Sequence, residues 1–524
     1  MKNIRQAVIL GTFAGAFYVA AVPPAVGEEL SALDSNREPW QRRLEQDAQG
    51  SASAGVAAAS GASPAAAPMV GGSFPRSFLL PGTQTSFRIS GEIRDVAAYW
   101  FSGGIPNTSP QSTTVGATGL AEGIPLNIHV PVPVGTATAT ARARSTVIFV
   151  QSPAQSKLSL ETRTPTVWGE ARTFAQFDFA GSNTFIPGGS RGAQGTDDPL
   201  LPRLRFGYVT IGGLLVGQAN SNFADPDASA QTIDFGGNFG EAGFTRIAQV
   251  RYTQPLAEWG ILGALSVSAE APETDAWTAG QGLVGSDAGA TASASAANGP
   301  AINPTKASAP DLTAAWYMPY HWGHLDFSTV VRPGLRLKDG LLVDRNYIGY
   351  GMHVGGSVKP GWFGWTKDDI TFQLEYGNGI GRYLASSSTF AILSNYPATP
   401  PSTAAAANNV IARTITEWGG SAGYQHLWLA NLRSTISSGI GYNDLNLGGT
   451  SGICTGDTTT ASARTTGTGG CGIDKMLVSA HANLVWNPVP FADLGVEYVY
   501  AHRVVLSNLK GDQHSILSRI RVEF

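Results

Sequence analysis

The chain has little charge, few cysteines and, after its first segment, no long apolar run. Charged residues make up 14% of its 524 residues, whereas glycine occurs 64 times and aromatic residues make up 9%. This composition is low in charge for a soluble protein and rich in residues that suit strands and turns. The net charge of −4, without clustered basic runs, gives no electrostatic case for a nucleic-acid partner.

The two cysteines, Cys454 and Cys471, lie in one Gly/Thr-rich segment, where a disulfide between them would close a single loop. A metal site needs more ligands than this pair offers, so we expect neither a metal site nor a cofactor. His321 and His324 have a spacing that suits a metal, but they lie at a predicted tight turn without an evident third ligand. We expect these two histidines to be surface residues.

The N-terminus has the pattern of a secretory signal over residues 1–27, with Lys2 and Arg5 ahead of an apolar run and small residues before Glu28. Residues 28–73 predict a periplasmic segment, namely a short helix interrupted at Pro39 and an Ala/Gly/Ser/Pro linker. No later stretch approaches the roughly 20 apolar residues of a membrane helix. An exported chain of this kind is periplasmic, secreted or an outer-membrane barrel.

From residue 74 onward the polar and apolar side chains alternate with period two, which predicts strands. Residues 157–179 read as a hairpin with a four-residue turn, which would place Arg163 opposite Glu170 and Glu161 opposite Arg172. A turn at Gly212 and Gly213 would set Arg205 opposite Asn220. Few soluble sheets carry so many charges on one face of a hairpin.

The whole pattern from 74 to 524 predicts an all-β fold, a transmembrane up-and-down antiparallel barrel of about 16 strands. Tight connections alternate with long ones, as expected of short periplasmic turns and long extracellular loops. Aromatic residues collect near the strand ends, which suits two interfacial girdles in outer-membrane lipid. Because lipid leaves no partner for an open edge, the last strand must pair with the first, near Ser86.

The final stretch, Ser515 to Phe524, places Ile516, Ile520, Val522 and Phe524 on one face and arginines on the other. Alone it fits either an amphipathic edge strand of a soluble sheet or the closing strand of a barrel. A terminal aromatic strand resembles the closing strand of bacterial outer-membrane barrels, where it also serves as the assembly signal for the barrel-assembly machinery. That resemblance gives Phe524 this role.

A barrel of this size has a water-filled lumen, so selectivity depends on what narrows it and on its charges. The candidate constriction is the loop from Ala224 to Phe244, with Asp225, Asp227, Asp234 and Glu241. Inward basic residues would face it and guide carboxylates; they are Arg88, Arg94, Arg163, Arg172, Arg203, Arg205 and Arg251. About half could instead pair with neighbouring acids, and we expect Arg203, Arg205 and Arg251 to contact solute because their expected neighbours are neutral.

Four blocks carry a family resemblance: LPGTQTSFRISGEIRD from Leu80, LETRTPTVWGEARTFAQFDF from Leu160, the segment from Leu204 to Gly237, and QVRYTQPL from Gln249. They resemble the DcaP-like trimeric outer-membrane porins. The resemblance implies a 16-stranded homotrimer in the bacterial outer membrane that admits small, mostly anionic organic molecules such as carboxylates.

The residues leave a second class of function open. A plugged barrel could display its long loops for surface binding or adhesion, which the segment around Cys454 and Cys471 would suit. An enzyme is not expected, because the G-x-S-x-G spacing at Gly419 to Gly423 lies within a Gly-rich strand and not in a strand-turn-helix context.

Overall fold

The period-two segments form a closed antiparallel barrel. The structure is a computed structural model, and it describes the following residues: 71–102, 148–181, 201–242, 245–272, 275–278, 282–285, 305–339, 343–384, 390–394, 411–445, 474–505 and 510–524. No helix within these ranges is long and apolar enough to cross a membrane. The predicted signal peptide, most of the predicted periplasmic segment, Phe244 and both cysteines lie outside the described residues and stay predictions.

The main sheet has 19 strands, of which three are short additions at Phe78–Leu79, Ile148–Ser152 and Thr305–Ala307. The remaining 16 form the barrel wall. They are β1 (Ser86–Ser102), β2 (Lys157–Thr166), β3 (Gly169–Gly181), β4 (Leu201–Ile211), β5 (Leu214–Asn220), β6 (Arg246–Pro255), β7 (Ala264–Glu270), β8 (Asp311–Tyr320), β9 (Gly323–Asp339), β10 (Val343–Val358), β11 (Asp369–Asn378), β12 (Thr416–Leu429), β13 (Leu432–Asp444), β14 (Asp474–Val489), β15 (Ala492–Val505) and β16 (Lys510–Glu523).

Each strand pairs with its sequence neighbour, and β16 pairs with β1 to close the barrel. The seam runs from Glu92 opposite Glu523 to Ser102 opposite His514. Phe524 extends it, because its N–H and C=O bond the backbone of Gly91 at 3.0 and 3.1 Å. The predicted fold class and the predicted pairing of the last strand with the first are therefore confirmed.

Alternation sorts the side chains as expected for a barrel. On β16, Ile516, Ile520 and Val522 are exposed on the outside, whereas Arg519 and Arg521 are buried inside. The apolar residues belong to the outer face, where lipid is their neighbour.

The connections alternate less strictly than the sequence predicts. Residues 359–368 form a long connection on the side of the short turns. On the side of the long loops, only three residues separate the end of β9 from the start of β10. β11 ends at Asn378, because Gly379 and Gly381 have left-handed backbone angles (φ 67° and 57°) and a 3-10 turn follows.

The predicted register of the β2–β3 hairpin is wrong. Its turn is the pair Val167 and Trp168, so Arg163 lies opposite Arg172. The expected ion pairs still form, but diagonally: Arg172 contacts Glu161 at 2.7 Å and Arg163 contacts Glu170 at 3.5 Å. Diagonal pairing is possible because long side chains reach a neighbour two residues along the adjacent strand.

The loops carry a second sheet of four short strands at Asp275–Thr278, Gly282–Gly285, Ala391–Ser394 and Ile411–Thr414. It shares an apolar core with Leu335 and Leu337 near the end of β9. Short 3-10 turns complete the description, at Pro226–Ala228, Ala257–Trp259, Trp362–Gly364 and Gly381–Tyr383.

Candidate functional site

The connection after β5 folds into the barrel, as the sequence predicts for the candidate constriction. We call residues 221–245 the inner loop, of which 243 and 244 lie outside the described residues. Its apolar side chains Phe223, Ile233 and Phe239 are fully buried. Its partners come from strands remote in sequence, including β13, β14 and β15. The inner loop therefore lies inside the barrel, and its role as the constriction stays a prediction.

Carboxylates of the wall hold the backbone of the inner loop. Glu497 on β15 accepts the N–H groups of Ile233 and Asp234, both at 2.8 Å. Glu375 on β11 accepts Ala242 N–H at 2.7 Å. Glu270 on β7 accepts Asn222 N–H at 2.8 Å and also the hydroxyl of Ser221. Hydrogen bonds from backbone N–H groups to a carboxylate are strong. These three wall acids therefore anchor the inner loop to the barrel wall.

Glycines let the inner loop approach the wall closely. Gly240 has φ 76°, and a Cβ there would lie 1.9 Å from the carbonyl oxygen of Ile440 on β13. On β12, a Cβ on Gly419 would lie 2.6 Å from the Gly240 oxygen, and one on Gly423 would lie 2.5 Å from Ala230 Cβ. The G-x-S-x-G spacing thus supplies a flat surface on which the inner loop packs.

Histidines pair with acids beneath the inner loop. His324 Nε2 lies 2.8 Å from Asp225 Oδ2, and His481 Nδ1 lies 3.3 Å from Glu497 Oε1. His353 lies between Asp326 at 3.6 Å and Glu375 at 3.8 Å. The expectation that His324 is a surface residue is wrong: it is buried, since it shares the inward phase of β9 with Asp326. The two-residue spacing between His324 and Asp326 is the sequence signal that could have predicted an inward position for His324.

The four acids of the inner loop are buried and do not form an open row facing the arginines. Burial disfavours the charge on Asp225, but the contact with His324 keeps its pKa below the ordinary value. Burial raises the pKa of Asp234 to about 8, with Glu497 adding to the rise and His481 opposing it. Burial also raises the pKa of Glu241. Asp227 is buried beside Asp225, whose side chain accepts its N–H. Asp225 therefore holds the loop to the wall, whereas Asp234 and Glu241 accept hydrogen bonds from within the loop.

The wall formed by β15, β16 and β1–β4 is rich in bases. Nine basic side chains form ion pairs there with six carboxylates: Arg88, Arg94, Lys157, Arg163, Arg172, Arg203, Arg205, Arg519 and Arg521 with Glu92, Glu161, Glu170, Asp178, Asp493 and Glu523. Glu161 alone receives three guanidinium groups, from Arg88, Arg163 and Arg172, at 2.5 to 2.8 Å. These six strands also carry Arg503, Lys510, Asp95, Glu497 and Asp512, so eleven lysines and arginines stand against nine aspartates and glutamates, and bases outnumber acids by two.

The neighbours of Arg203 and Arg205 are not neutral, contrary to the sequence-based expectation. Both guanidinium groups bond Asp178 on β3, at 2.6 and 2.8 Å. The register between β3 and β4 is irregular at this point and places Asp178 directly opposite Arg203. Arg246, half-buried nearby, lies over the Phe206 ring at 5.8 Å and forms no ion pair with a described residue.

Arg251 has different neighbours from Arg203 and Arg205. It lines a small cavity beside the first part of the inner loop, together with Asp225 and Asp326, whereas Arg203 and Arg205 both bond Asp178. Contact of these three arginines with solute stays a prediction.

Exposure separates the arginines further. The side chains of Arg203, Arg163 and Arg88 are 38%, 29% and 22% exposed, whereas those of Arg94, Arg172 and Arg205 are 9%, 7% and 5% exposed. Water, and a solute, can reach the first three more readily.

A family model described as "Porin subfamily" matches residues 76–432, more than half of the chain. The chain belongs to this porin subfamily. No curated protein sequence matches it. Its fold is similar to that of the outer-membrane channel DcaP of Acinetobacter baumannii, with a TM-score of 0.57, 21% identity, and coverage of 87% of this chain and 100% of that chain.

Two other solved structures are less similar. OmpT of Vibrio cholerae in its trimer form has a TM-score of 0.41 and 8% identity, over 84% of this chain and 99% of that one. An anion-selective porin from Comamonas acidovorans has a TM-score of 0.39 and 9% identity, over 84% of this chain and all of that one. The resemblance to DcaP-like porins is confirmed. This porin is a β-barrel channel of the bacterial outer membrane. Its family and fold indicate passive diffusion of solutes and not enzymatic chemistry.

Proposed function

We propose that this porin favours small anionic solutes, including organic carboxylates. The proposal rests on where the acidic and basic side chains of the barrel wall lie and on what they bond. Wall acids on β7, β11 and β15 are engaged by the inner loop, whereas the wall of β15, β16 and β1–β4 holds more bases than acids. A passage between the inner loop and that wall has a positive side without an equal negative side.

Electrostatics set the size of the effect. The attraction between two opposite unit charges about 4 Å apart is roughly 1 kcal/mol in a water-like dielectric. Such an energy raises the local anion concentration about fivefold. Arg203, Arg163 and Arg88 are the proposed solute contacts, because they are the more exposed members of the wall. The buried arginines, Arg94, Arg172 and Arg205, support the wall by holding its acids.

Reversal potentials in a salt gradient test this proposal. We expect Arg203→Gln, and the pair Arg88→Gln and Arg163→Gln, to lower the permeability of anions relative to cations. Lys359→Gln, which removes an exposed charge from a turn at the periplasmic end of the barrel, is the matched control and should leave the ratio unchanged. A wild-type channel that prefers cations, or arginine variants with unaltered reversal potentials, would refute the proposal.

We also propose the homotrimer that the family resemblance implies, with the outer face of β1 in a subunit contact. Asp95 faces outward between Ile93 and Tyr99, and Gln151 donates a hydrogen bond to it at 2.5 Å. A carboxylate on the lipid face is unfavourable, so a protein neighbour there is the better environment. Native mass spectrometry should give the mass of three chains for wild type and less trimer for Asp95→Arg. A single-chain mass for wild type would overturn this.

A further inference from the structure

The connection between β10 and β11, residues 359–368, is long, aromatic and exposed. We call it the aromatic turn. Its sequence is KPGWFGWTKD, and the side chains of Trp362, Phe363 and Trp365 are 52%, 88% and 45% exposed. It lies at the end of the barrel that carries the tight turns, which is the periplasmic end. Large exposed apolar patches of this kind mark a contact with a partner or a membrane.

The aromatic turn folds against the outside of the barrel. Trp362 stacks on Tyr424 with ring centroids 6.3 Å apart, and the Trp365 ring packs edge-on against His426 at 4.6 Å. Both partners, Tyr424 and His426, are on β12. Gln425 between them points into the barrel, where it bonds Gln231 of the inner loop, so Tyr424 and His426 point outward. The turn therefore continues the apolar outer surface and does not block the lumen.

Asp368 locks the aromatic turn in this place. Its carboxylate accepts the Tyr424 hydroxyl at 2.6 Å and Leu427 N–H at 3.2 Å, and it lies 2.8 Å from His426 Nδ1. The side chain of Asp368 is buried by these contacts. Lys359 and Lys367 remain exposed, and neither forms an ion pair with a described residue.

Phe363 has a backbone conformation that bulky residues rarely adopt, with φ 53° and ψ 20°. Left-handed angles crowd the Cβ of such a residue. The ring gains little inside the chain in return, since its contact is with Trp365 at 5.3 Å, itself half-exposed. Strain that no contact among the described residues offsets indicates a role outside the chain.

We propose that the aromatic turn is a foot that binds glycerophospholipid in the inner leaflet of the outer membrane. Trp362, Phe363 and Trp365 lie at the boundary between headgroups and acyl chains, where amphipathic rings are favoured. Lys359 and Lys367 extend to the lipid phosphates, whose charge complements theirs. The foot adjoins the lipid-facing outer surface, and this continuity favours lipid over a protein partner.

Tryptophan quenching in vesicles tests the position of the foot. In the double variant Trp362→Phe with Trp365→Phe, phenylalanine keeps the aromatic packing but removes the tryptophan emission. The wild-type emission minus that of the variant therefore reports Trp362 and Trp365. In vesicles whose lipids are brominated near the headgroup end of the acyl chains, most of this difference emission should be quenched. Emission assigned in the same way to Trp100, which is buried on the inner face, should be quenched far less.

Two outcomes would overturn the proposal. Difference emission that resists brominated lipid but is quenched by aqueous acrylamide would place the foot in water. Emission that resists both would mean that a protein surface, such as a second copy of the chain, covers it. Neither outcome depends on ion selectivity, so the proposed function is tested separately.

Charge removal tests the lipid contact itself. In native mass spectrometry of protein purified with phosphatidylglycerol, Lys359→Gln with Lys367→Gln should lose most of the retained lipid. Lys338→Gln with Lys510→Gln removes the same charge at the opposite end of the barrel, where both lysines are exposed, and should retain it. Equal retention by the two variants would contradict the role of the lysines.

Phe363→Gly tests the contribution of the Phe363 ring without destabilising the turn, because glycine adopts the left-handed backbone conformation without strain. In detergent this variant should melt at or above the wild-type temperature. Added phosphatidylglycerol should raise the melting temperature of wild type more than that of the variant. An equal rise in both would refute insertion of the Phe363 ring.

Discussion

At the scale of single residues, the same side-chain type does different work according to its partner. Glu497 and Glu375 accept backbone N–H groups of the inner loop, whereas Glu161 holds three arginines of the wall. The sequence predicts that all three acids face inward, because alternation decides the face of a strand. It does not predict their partners, which depend on register and on a loop that crosses the lumen.

Replacing Gly240 tests whether the inner loop sets the constriction. In Gly240→Ala, the added Cβ would lie 1.9 Å from the Ile440 oxygen in a left-handed conformation, which costs alanine about 1–2 kcal/mol before any clash. The loop must leave β13, so single-channel conductance should rise while the barrel still folds.

Gly82→Ala is the matched control. Gly82 has φ 73°, but nothing lies within 4 Å of its added Cβ, so this variant carries the backbone strain without the clash. It should conduct like wild type. If Gly240→Ala also conducts like wild type, the inner loop does not limit the current.

At the scale of elements, the strands are predictable and the path of the inner loop is only partly so. Period-two alternation identifies the region of the wall strands and their number, because each strand has one face toward lipid and one toward the lumen. The inner loop is recognisable by its position after the fifth strand. Its contacts are not, since Ile233 meets Glu497 across the lumen and local patterns carry no information on such pairs.

The inner loop should also respond to pH through Asp234. Because burial raises its pKa to about 8 from 3.8, the folded state holds a proton that the unfolded chain has lost between these values. The free energy of unfolding contributed by this group then falls by about 1.4 kcal/mol per pH unit as pH rises through this window, and levels off above about pH 8.

Asp234→Asn mimics the protonated form and removes this dependence. Urea unfolding in phospholipid vesicles should show the variant gaining stability over wild type as pH rises from about 5 to about 8, with a constant gap above that. A gap that does not change with pH would show that Asp234 titrates normally.

At the scale of the whole molecule, the seam that closes the barrel extends to Phe524. Phe524 makes two backbone hydrogen bonds with Gly91, and a Cβ on Gly91 would lie 2.7 Å from the Phe524 ring, so the position leaves no room for a side chain. The sequence predicts closure and family, because long ordered blocks match the DcaP-like pattern. It does not predict the register at the seam, the excess of bases over acids or the path of the aromatic turn.

Deletion of Phe524 should impair assembly before it alters permeation. The fraction of folded protein in the outer membrane, measured by heat-modifiable electrophoretic mobility, should fall, whereas the folded remainder should conduct normally. Phe491→Ala removes an exposed ring from the last tight turn without removing the terminal hydrogen bonds. A similar loss of folded protein in both would argue against a special role for the terminus.

We propose that an inner loop anchored by acids leaves a basic passage through an open channel. Current through the purified protein in planar bilayers, recorded across a salt gradient, tests it most directly. We expect stepwise channel openings with a reversal potential on the side of anion selectivity. Absence of ion current would favour a plugged binding barrel, and a reversal potential of the opposite sign would contradict the charge assignment.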